Sequence, residues 1–264
     1  MIDIIVCGAA GRMGRKIIEV TNEIEGLNLV GAVEAAGHSN LGKKVNKNIS
    51  ITSKLKEVLK NKAVVVDFTT PSATLEHLNT VVDVGVDVSF VIGTTGFTEK
   101  EEEEIIKMST NKPIVLSHNY GIGMNIFWHL IGEATNLLKD FDIEIVEFHG
   151  REKKDAPSGT AHTIAGVIAE EKKLDLSKNL IFGRRGFNEK GRDKYQVGMH
   201  SIRGGNYKSN HMVFFCGDGE TIEFVHREES LIILVKGVIE SIKFVVKAEP
   251  GLYGMKDVLK IKQV

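Results

Sequence analysis

Cysteine is nearly absent: Cys7 and Cys216 are the only two in 264 residues. That excludes a disulfide framework and a cysteine-based zinc site. Cys7 lies inside an apolar run, the setting of a small buried hydrophobe rather than a reactive thiol. No charge sign dominates either, since 34 Lys and Arg face 35 Asp and Glu for a formal net charge of −1. Such a balance excludes a nucleic-acid coat and a polybasic membrane anchor. Long apolar runs are missing too. The longest, Leu231 to Val246, is interrupted by Lys236, Glu240 and Lys243. It is shorter than the ~20 apolar residues a bilayer span needs, and it predicts a helix packed in a core or an oligomer interface. The chain starts directly on a strand-like segment, with no charged n-region, apolar h-region or cleavage site, so a cytoplasmic location is expected. Proline is scarce at 4 residues and glycine abundant at 27. Where those glycines fall is the first positive clue.

The 42% hydrophobic content excludes wholesale disorder. At about 150 residues per domain, the length permits one large or two modest domains. The first half alternates strand and helix signals. Strands are predicted at Ile2–Cys7, Leu27–Val33, Ala63–Phe68, Val86–Ile92 and Ile114–Leu116. Helices are predicted at Gly14–Thr21, Ala73–Val84 and Thr98–Met108, the last capped by Thr98. Alternation with β-branched runs implies a parallel sheet covered on both faces. The pattern changes near residue 120. Helices at Asn125–Leu138 and Ser158–Glu171 flank a strand at Asp142–His149. A loop-rich stretch, Leu176–Arg192, precedes strands near Tyr195–Ile202, His211–Phe215 and Thr221–His226. Runs of strands predict a second, α+β domain with a mixed open sheet. The division is placed at 1–120, completed by 230–264, and 121–229.

Gly8-Ala9-Ala10-Gly11-Arg12-Met13-Gly14 follows the first strand and opens a helix, the context a dinucleotide loop requires. Its glycines let the backbone turn tightly, and the helix start offers N–H groups to a pyrophosphate. Glu34 ends the second strand about 20 residues further on, where an acid accepts the ribose hydroxyls. A carboxylate there disfavours a 2′-phosphate, and Ala35 supplies no arginine beside it. Use of both nicotinamide cofactors, with NADH at least as good, is therefore expected. Gly93-Thr94-Thr95-Gly96 ends another strand at the same sheet edge, and its two hydroxyls are candidates to meet a nicotinamide or ribose.

The segment Glu144-Ile145-Val146-Glu147-Phe148-His149 runs through a charged turn into Ala156-Pro157-Ser158-Gly159-Thr160-Ala161. Glu147 and His149 share a strand face by the two-residue period. A helix start at Ser158, Gly159 and Thr160 suits a carboxylate or phosphate, and Lys153 adds a full positive charge. Histidine is the residue type whose unperturbed pKa suits proton transfer near neutrality, which makes His149 the candidate acid–base group. The capping and solvated roles common for single residues compete with this reading. The grouping of all three elements in one segment favours a site.

This segment resembles the signature of the 4-hydroxy-tetrahydrodipicolinate reductase family, formerly dihydrodipicolinate reductase. The likeness extends to GAAGRMG near the start, DFT at 67–69, GTTGF at 93–97, Asn119 with GIGMN at 121–125, RGG at 203–205, EFVHR at 223–227 and GLYGMKDVL at 251–259. It implies a Rossmann-type domain binding NADH or NADPH, a smaller domain for a dicarboxylate substrate and for a homotetramer, and hinge closure. It also implies hydride transfer to C4 of a cyclic imine. By position it makes His149 the proton donor and Lys153 a catalytic and substrate-binding residue. Gly150, Ser158, Gly159 and Thr160 then hold substrate. Gly8, Ala9, Gly11, Arg12, Met13, Gly14, Glu34, Gly93, Thr94, Thr95, Ser117, His118, Asn119 and Tyr120 line the cofactor, and no metal is implied. Many members carry a second histidine where Gly150 stands, and Arg151 and His200 are candidates to replace it. An arginine frequent after the HR pair is Leu231 here. The glycine loop and Glu34 fit equally a dehydrogenase of another small amino or hydroxy acid; KDAPSGTA does not. A nucleotide sensor that lost catalysis is a third reading, motivated by Gly150.

Overall fold

The computed structural model describes residues 1–261. In chain order the first elements are β1 (Ile2–Cys7), α1 (Arg12–Glu23), β2 (Leu27–Val33), β3 (Ile51–Thr52), β4 (Val64–Asp67), α2 (Pro71–Val84), β5 (Ser89–Ile92), α3 (Glu99–Ser109) and β6 (Pro113–Leu116). Then follow α4 (Ile122–Leu137), β7 (Asp142–His149), α5 (Gly159–Lys172), α6 (Leu176–Asn179), β8 (Leu180–Phe182), β9 (Val197–Arg203), β10 (Ser209–Gly217) and β11 (Glu220–Glu228). The last are α7 (Ile232–Val245), β12 (Gly251–Tyr253) and α8 (Met255–Val258). Two compact units result: Met1–Ile122 with the chain from Leu231 on, and Gly123–Ser230.

The first unit is built on a seven-stranded sheet of order β12-β6-β5-β4-β1-β2-β3. Every pairing in it is parallel. Strand β1 shows why both faces are covered: Ile4 and Val6 join one core with α1 and α7, while Ile5 and Cys7 join another with α2 and α3. The apolar run is thus split between two faces by the two-residue period. Cys7 is fully buried and burial pushes its thiol well up, as expected for a packing residue. Thr98 caps α3, with a reciprocal bond from its own N–H to Glu101 at 2.7 Å. The neighbours of β1 are β4 and β2, so the strand order reverses there. That Rossmann-type arrangement opens a crevice beyond the carboxyl ends of the strands.

The second unit carries a mixed sheet of order β11-β10-β7-β9-β8. Strand β7 is antiparallel to β10 and parallel to β9. Its burial alternates strictly: Ile143, Ile145, Glu147 and His149 face inward, where the apolar members meet α4 and α5. The sequence places helix and short strand in the tail 252–261, where β12 and α8 fall, but gives no signal for β3, β8 and α6. β3 has two residues and β8 three, too short for a periodic signal, and α6 lies in the stretch read as loop. The order of that stretch comes from charge. Glu144 accepts a bidentate pair of bonds from Arg184 at 2.7 and 2.8 Å and one from Arg192 Nε at 3.1 Å. Burial raises the Glu144 carboxyl, but Arg184, His200 and Arg192 outweigh it and hold it at about 2. No helix among the described residues is long and apolar enough to cross a membrane.

Candidate active site

In the first unit, the predicted cofactor residues gather on the carboxyl edge of one sheet. The loop after β1 holds Gly8, Ala9 and Gly11. Glu34 follows β2, Gly93 to Thr95 follow β5, and Ser117 to Tyr120 follow β6. Gly8 has φ +80°, and a Cβ on it would collide with the carbonyl of Phe68. A Cβ on Gly14 would strike the carbonyl of Gly8, so this glycine lets α1 close against the loop. Gly11 is the N-cap of α1 and has no side chain to bond the first helical turn; exposed Arg12 and half-buried Met13 follow it. The free N–H groups of that turn are what a pyrophosphate requires. Glu34 accepts the N–H of Ala10 at 2.8 Å and of Ala35 at 3.0 Å, which ties the loop to the end of β2. Of these, Gly8, Gly11, Glu34 and Ala35 border a cavity of about 400 Å³.

Two of the predicted cofactor residues turn their side chains into the protein. Thr94 is buried at 4% exposure. Its hydroxyl accepts the N–H of Thr69 at 3.0 Å and the Thr74 hydroxyl at 2.8 Å. The hydroxyl is therefore spent inside the protein, and exposed Thr95 is the one left for a ligand. Tyr120 is buried too, and its hydroxyl donates to the carbonyls of Ile92 (2.7 Å) and Val115 (3.2 Å). Its side chain is a core element; only its backbone belongs to the edge. Around it the turn closes on itself, with Ser117 Oγ donating to the Asn119 carbonyl at 2.9 Å and Asn119 Oδ1 accepting from Gly121 N–H at 2.8 Å. His118 is exposed.

In the second unit, a fully buried carboxylate organises the site. Glu147 Oε2 lies 3.0 Å from His149 Nε2, and Glu147 Oε1 accepts from Arg203 at 2.7 Å. Ser158 N–H adds bonds at 3.2 and 3.3 Å. Burial pushes the Glu147 carboxyl up, yet the bonds from His149, Ser158, Ser201 and Arg203 outweigh it and hold it well below the usual range. Arg203 sits opposite His149 in the β7–β9 register, so strand pairing delivers the cation. His211 comes from β10, opposite Glu147, with its ring 5.5 Å from that of His149. Sequence reasoning assigned no role to His211 or Arg203. RGG at 203–205 was visible as a motif, but only the parallel pairing reveals what it faces.

Other residues fall differently from expectation. Ser158 was expected to hold substrate, but its hydroxyl caps α5 through Ala161 N–H at 3.2 Å and meets His211 Nε2 at 3.2 Å. It is a buried brace, whereas Gly159 is exposed and Thr160 half-buried at the helix start. Lys153 is half-buried and its Nζ contacts both Asp155 oxygens, at 2.8 and 3.0 Å. Gly150 offers only backbone, and a Cβ there would lie 3.1 Å from the Tyr207 carbonyl oxygen. His200 cannot stand in for a second histidine: its Nε2 pairs with Glu144 at 2.8 Å, on the sheet face opposite His149. Exposed Arg151 remains near the turn.

Comparison with known proteins decides the family. Residues 2–120 match the model described as "Dihydrodipicolinate reductase, N-terminus", and residues 123–259 match "Dihydrodipicolinate reductase, C-terminus". The chain belongs to the dihydrodipicolinate reductase family. The 4-hydroxy-tetrahydrodipicolinate reductase of Methanocorpusculum labreanum is 40% identical, over 98% of this chain and 99% of its own. That of Aquifex aeolicus is 41% identical, over 97% and 98%. A dipicolinate-bound dihydrodipicolinate reductase from Paenisporosarcina sp. TG-14 shares the fold, with TM-score 0.79 and 24% identity over 97% of this chain and 99% of that one.

The buried cluster of this family member has a pH consequence. Burial first, and the charge of His149 next, hold His211 down at about 4, against 6.5 ordinarily. The folded state therefore keeps His211 neutral where the unfolded chain would protonate it. Stability is complete above about 6.5 and is lost as pH falls towards 4, by up to about 3 kcal/mol. Glu147, held low, adds a loss of the same sign at still lower pH. Trp128 is the single tryptophan and belongs to this unit, so its fluorescence in urea titrations reports the loss. His211→Asn is expected to flatten the dependence between pH 6.5 and 4.

Proposed function

We infer that the chain is a 4-hydroxy-tetrahydrodipicolinate reductase. It reduces 4-hydroxy-2,3,4,5-tetrahydrodipicolinate to tetrahydrodipicolinate with NADH or NADPH, in lysine and diaminopimelate biosynthesis. The observation that carries the reading is the double hold of Glu147, which grips His149 on one strand and the start of α5 through Ser158. One carboxylate thereby sets an acid–base group and an anion-binding helix start in fixed register.

We assign cofactor binding to 1–120 with 230–264, and substrate binding and assembly to 121–229. The glycine loop, the uncapped α1 start and Arg12 suit the pyrophosphate, and Glu34 suits the ribose hydroxyls. NADH or NADPH, when bound, supplies a hydride. Delivered to C4 of the conjugated imine formed by loss of water, it leaves an enamine-like anion that needs a proton. His149 donates that proton, and the Glu147 carboxylate 3.0 Å from Nε2 keeps its ring oriented. Free N–H groups at Gly159 and Thr160 hold one carboxylate. Lys153 exchanges Asp155 for the other. Losing a charged hydrogen bond of this kind costs about 10- to 100-fold, so Lys153→Met is expected to lower kcat/KM by that factor. Matched steady-state kinetics check it.

The second sheet leaves one face open, with Ile202 at 41% and Val225 at 37% exposure on it. That face, on which Ile202 and Val225 lie with the charged Glu144, Arg184 and His200, suits assembly into a homotetramer in the cytoplasm. Sedimentation checks the assembly. The activity is tested by giving the protein the condensation product of pyruvate and aspartate semialdehyde and following nicotinamide absorbance. Oxidation of NADH or NADPH supports the reading; no oxidation of either contradicts it.

A further inference from the structure

The cavity beside the glycine loop carries more negative charge than Glu34 alone provides. Its titratable lining side chains are Glu34, Glu76 and His77, and no lysine or arginine lines it. Glu34 keeps its carboxylate oriented by bonds to Ala10 and Ala35 N–H, both neutral donors that leave its charge in place. Glu76 projects from the middle of α2, three residues beyond Ala73, which also lines the cavity. Its carboxylate is exposed and has no hydrogen bond or ion pair among the described residues. His77 commits Nδ1 to the buried carboxylate of Asp67 at 2.6 Å, so that nitrogen is not available to a ligand phosphate.

We propose that Glu76 is a second specificity residue for the cofactor. With Glu34 it puts two carboxylates on the lining of one cavity: Glu34 accepts the ribose hydroxyls, and Glu76 adds to the repulsion of a 2′-phosphate. This role of Glu76 rests on the cofactor assignment made above. It goes beyond that assignment by placing the discrimination on α2, where no dinucleotide motif falls. Repulsion between like charges in a partly solvated cavity is screened by salt, whereas a steric barrier is not.

The test is nucleotide binding without substrate. NADH and NADPH are titrated separately into the intact protein, with binding read by nicotinamide fluorescence at low and high salt. Wild-type protein is expected to bind NADH more tightly, with the gap narrowing as salt rises. Glu76→Gln is expected to tighten NADPH about 2- to 5-fold, the scale of one exposed charge interaction, and to leave NADH nearly unchanged. Glu76→Lys is expected to tighten NADPH further and to reverse the salt trend. Unchanged NADPH affinity in both variants, with NADH bound normally, overturns the proposal and leaves the reductase reading intact. Failure of both nucleotides to bind the wild-type protein overturns both.

Discussion

Replacement of His149 by alanine is expected to cut turnover by about 10²- to 10⁴-fold, the usual worth of a positioned general acid. The reason is geometric. His149 ends β7 with its ring against Glu147 and only 7% exposed, so solvent is a poor substitute donor. Because it belongs to the second unit, the loss should spare nucleotide affinity measured without substrate. Glu147 would be left with Arg203 and the Ser158 N–H as partners, so the fold should survive. Rapid-mixing and steady-state kinetics, with NADH titrated separately, check the result. Unchanged turnover would refute the acid role of His149.

The second large effect is on stability. Arg203→Met is expected to cost about 3 kcal/mol, the lower end of the range for breaking a buried ion pair from one side. Glu147 is fully buried and accepts from Arg203 at 2.7 Å, so removing the guanidinium strands a charge that water cannot reach. The remaining bonds from Ser158 and the His149 contact soften the loss. Arg203 also donates to the Asp155 carbonyl at 2.7 Å, which ties the turn carrying Lys153 to β9. Urea unfolding followed by Trp128 reads the change. Neutralising both partners, with Glu147→Gln added, should destabilise by less than the sum of the single changes. Strict additivity would mean that the pair does not act as a unit.

The parallel sheet is legible in its apolar runs, because a strand buried on both faces leaves few other interpretations. The Val64–Asp67 strand, both of whose faces are covered, is the clear instance. Short edge strands such as β8 were illegible: three residues carry no period, and their place is set by pairing with β9. The site was legible where function and local order coincide. Glu147 and His149 share a face by spacing alone, and the helix start after Pro157 is written in the residues there. What spacing cannot tell is which hydroxyls the protein keeps for itself. Thr94 and Ser158 look like ligand contacts in one dimension, yet buried Asp67 and His211 claim them in three. Arg203 and His211 lie more than fifty residues from His149 along the chain, and only sheet register joins them to it.

The most direct measurement of the central claim follows the hydride itself. The protein is given NADH carrying deuterium at the transferable C4 position, together with the condensation product of pyruvate and aspartate semialdehyde. The recovered tetrahydrodipicolinate is then examined by mass spectrometry and NMR. One deuterium on the product ring carbon C4, formed in step with cofactor oxidation, is the expected result. Cofactor oxidation without label at that carbon, or no reduced product at all, would contradict it.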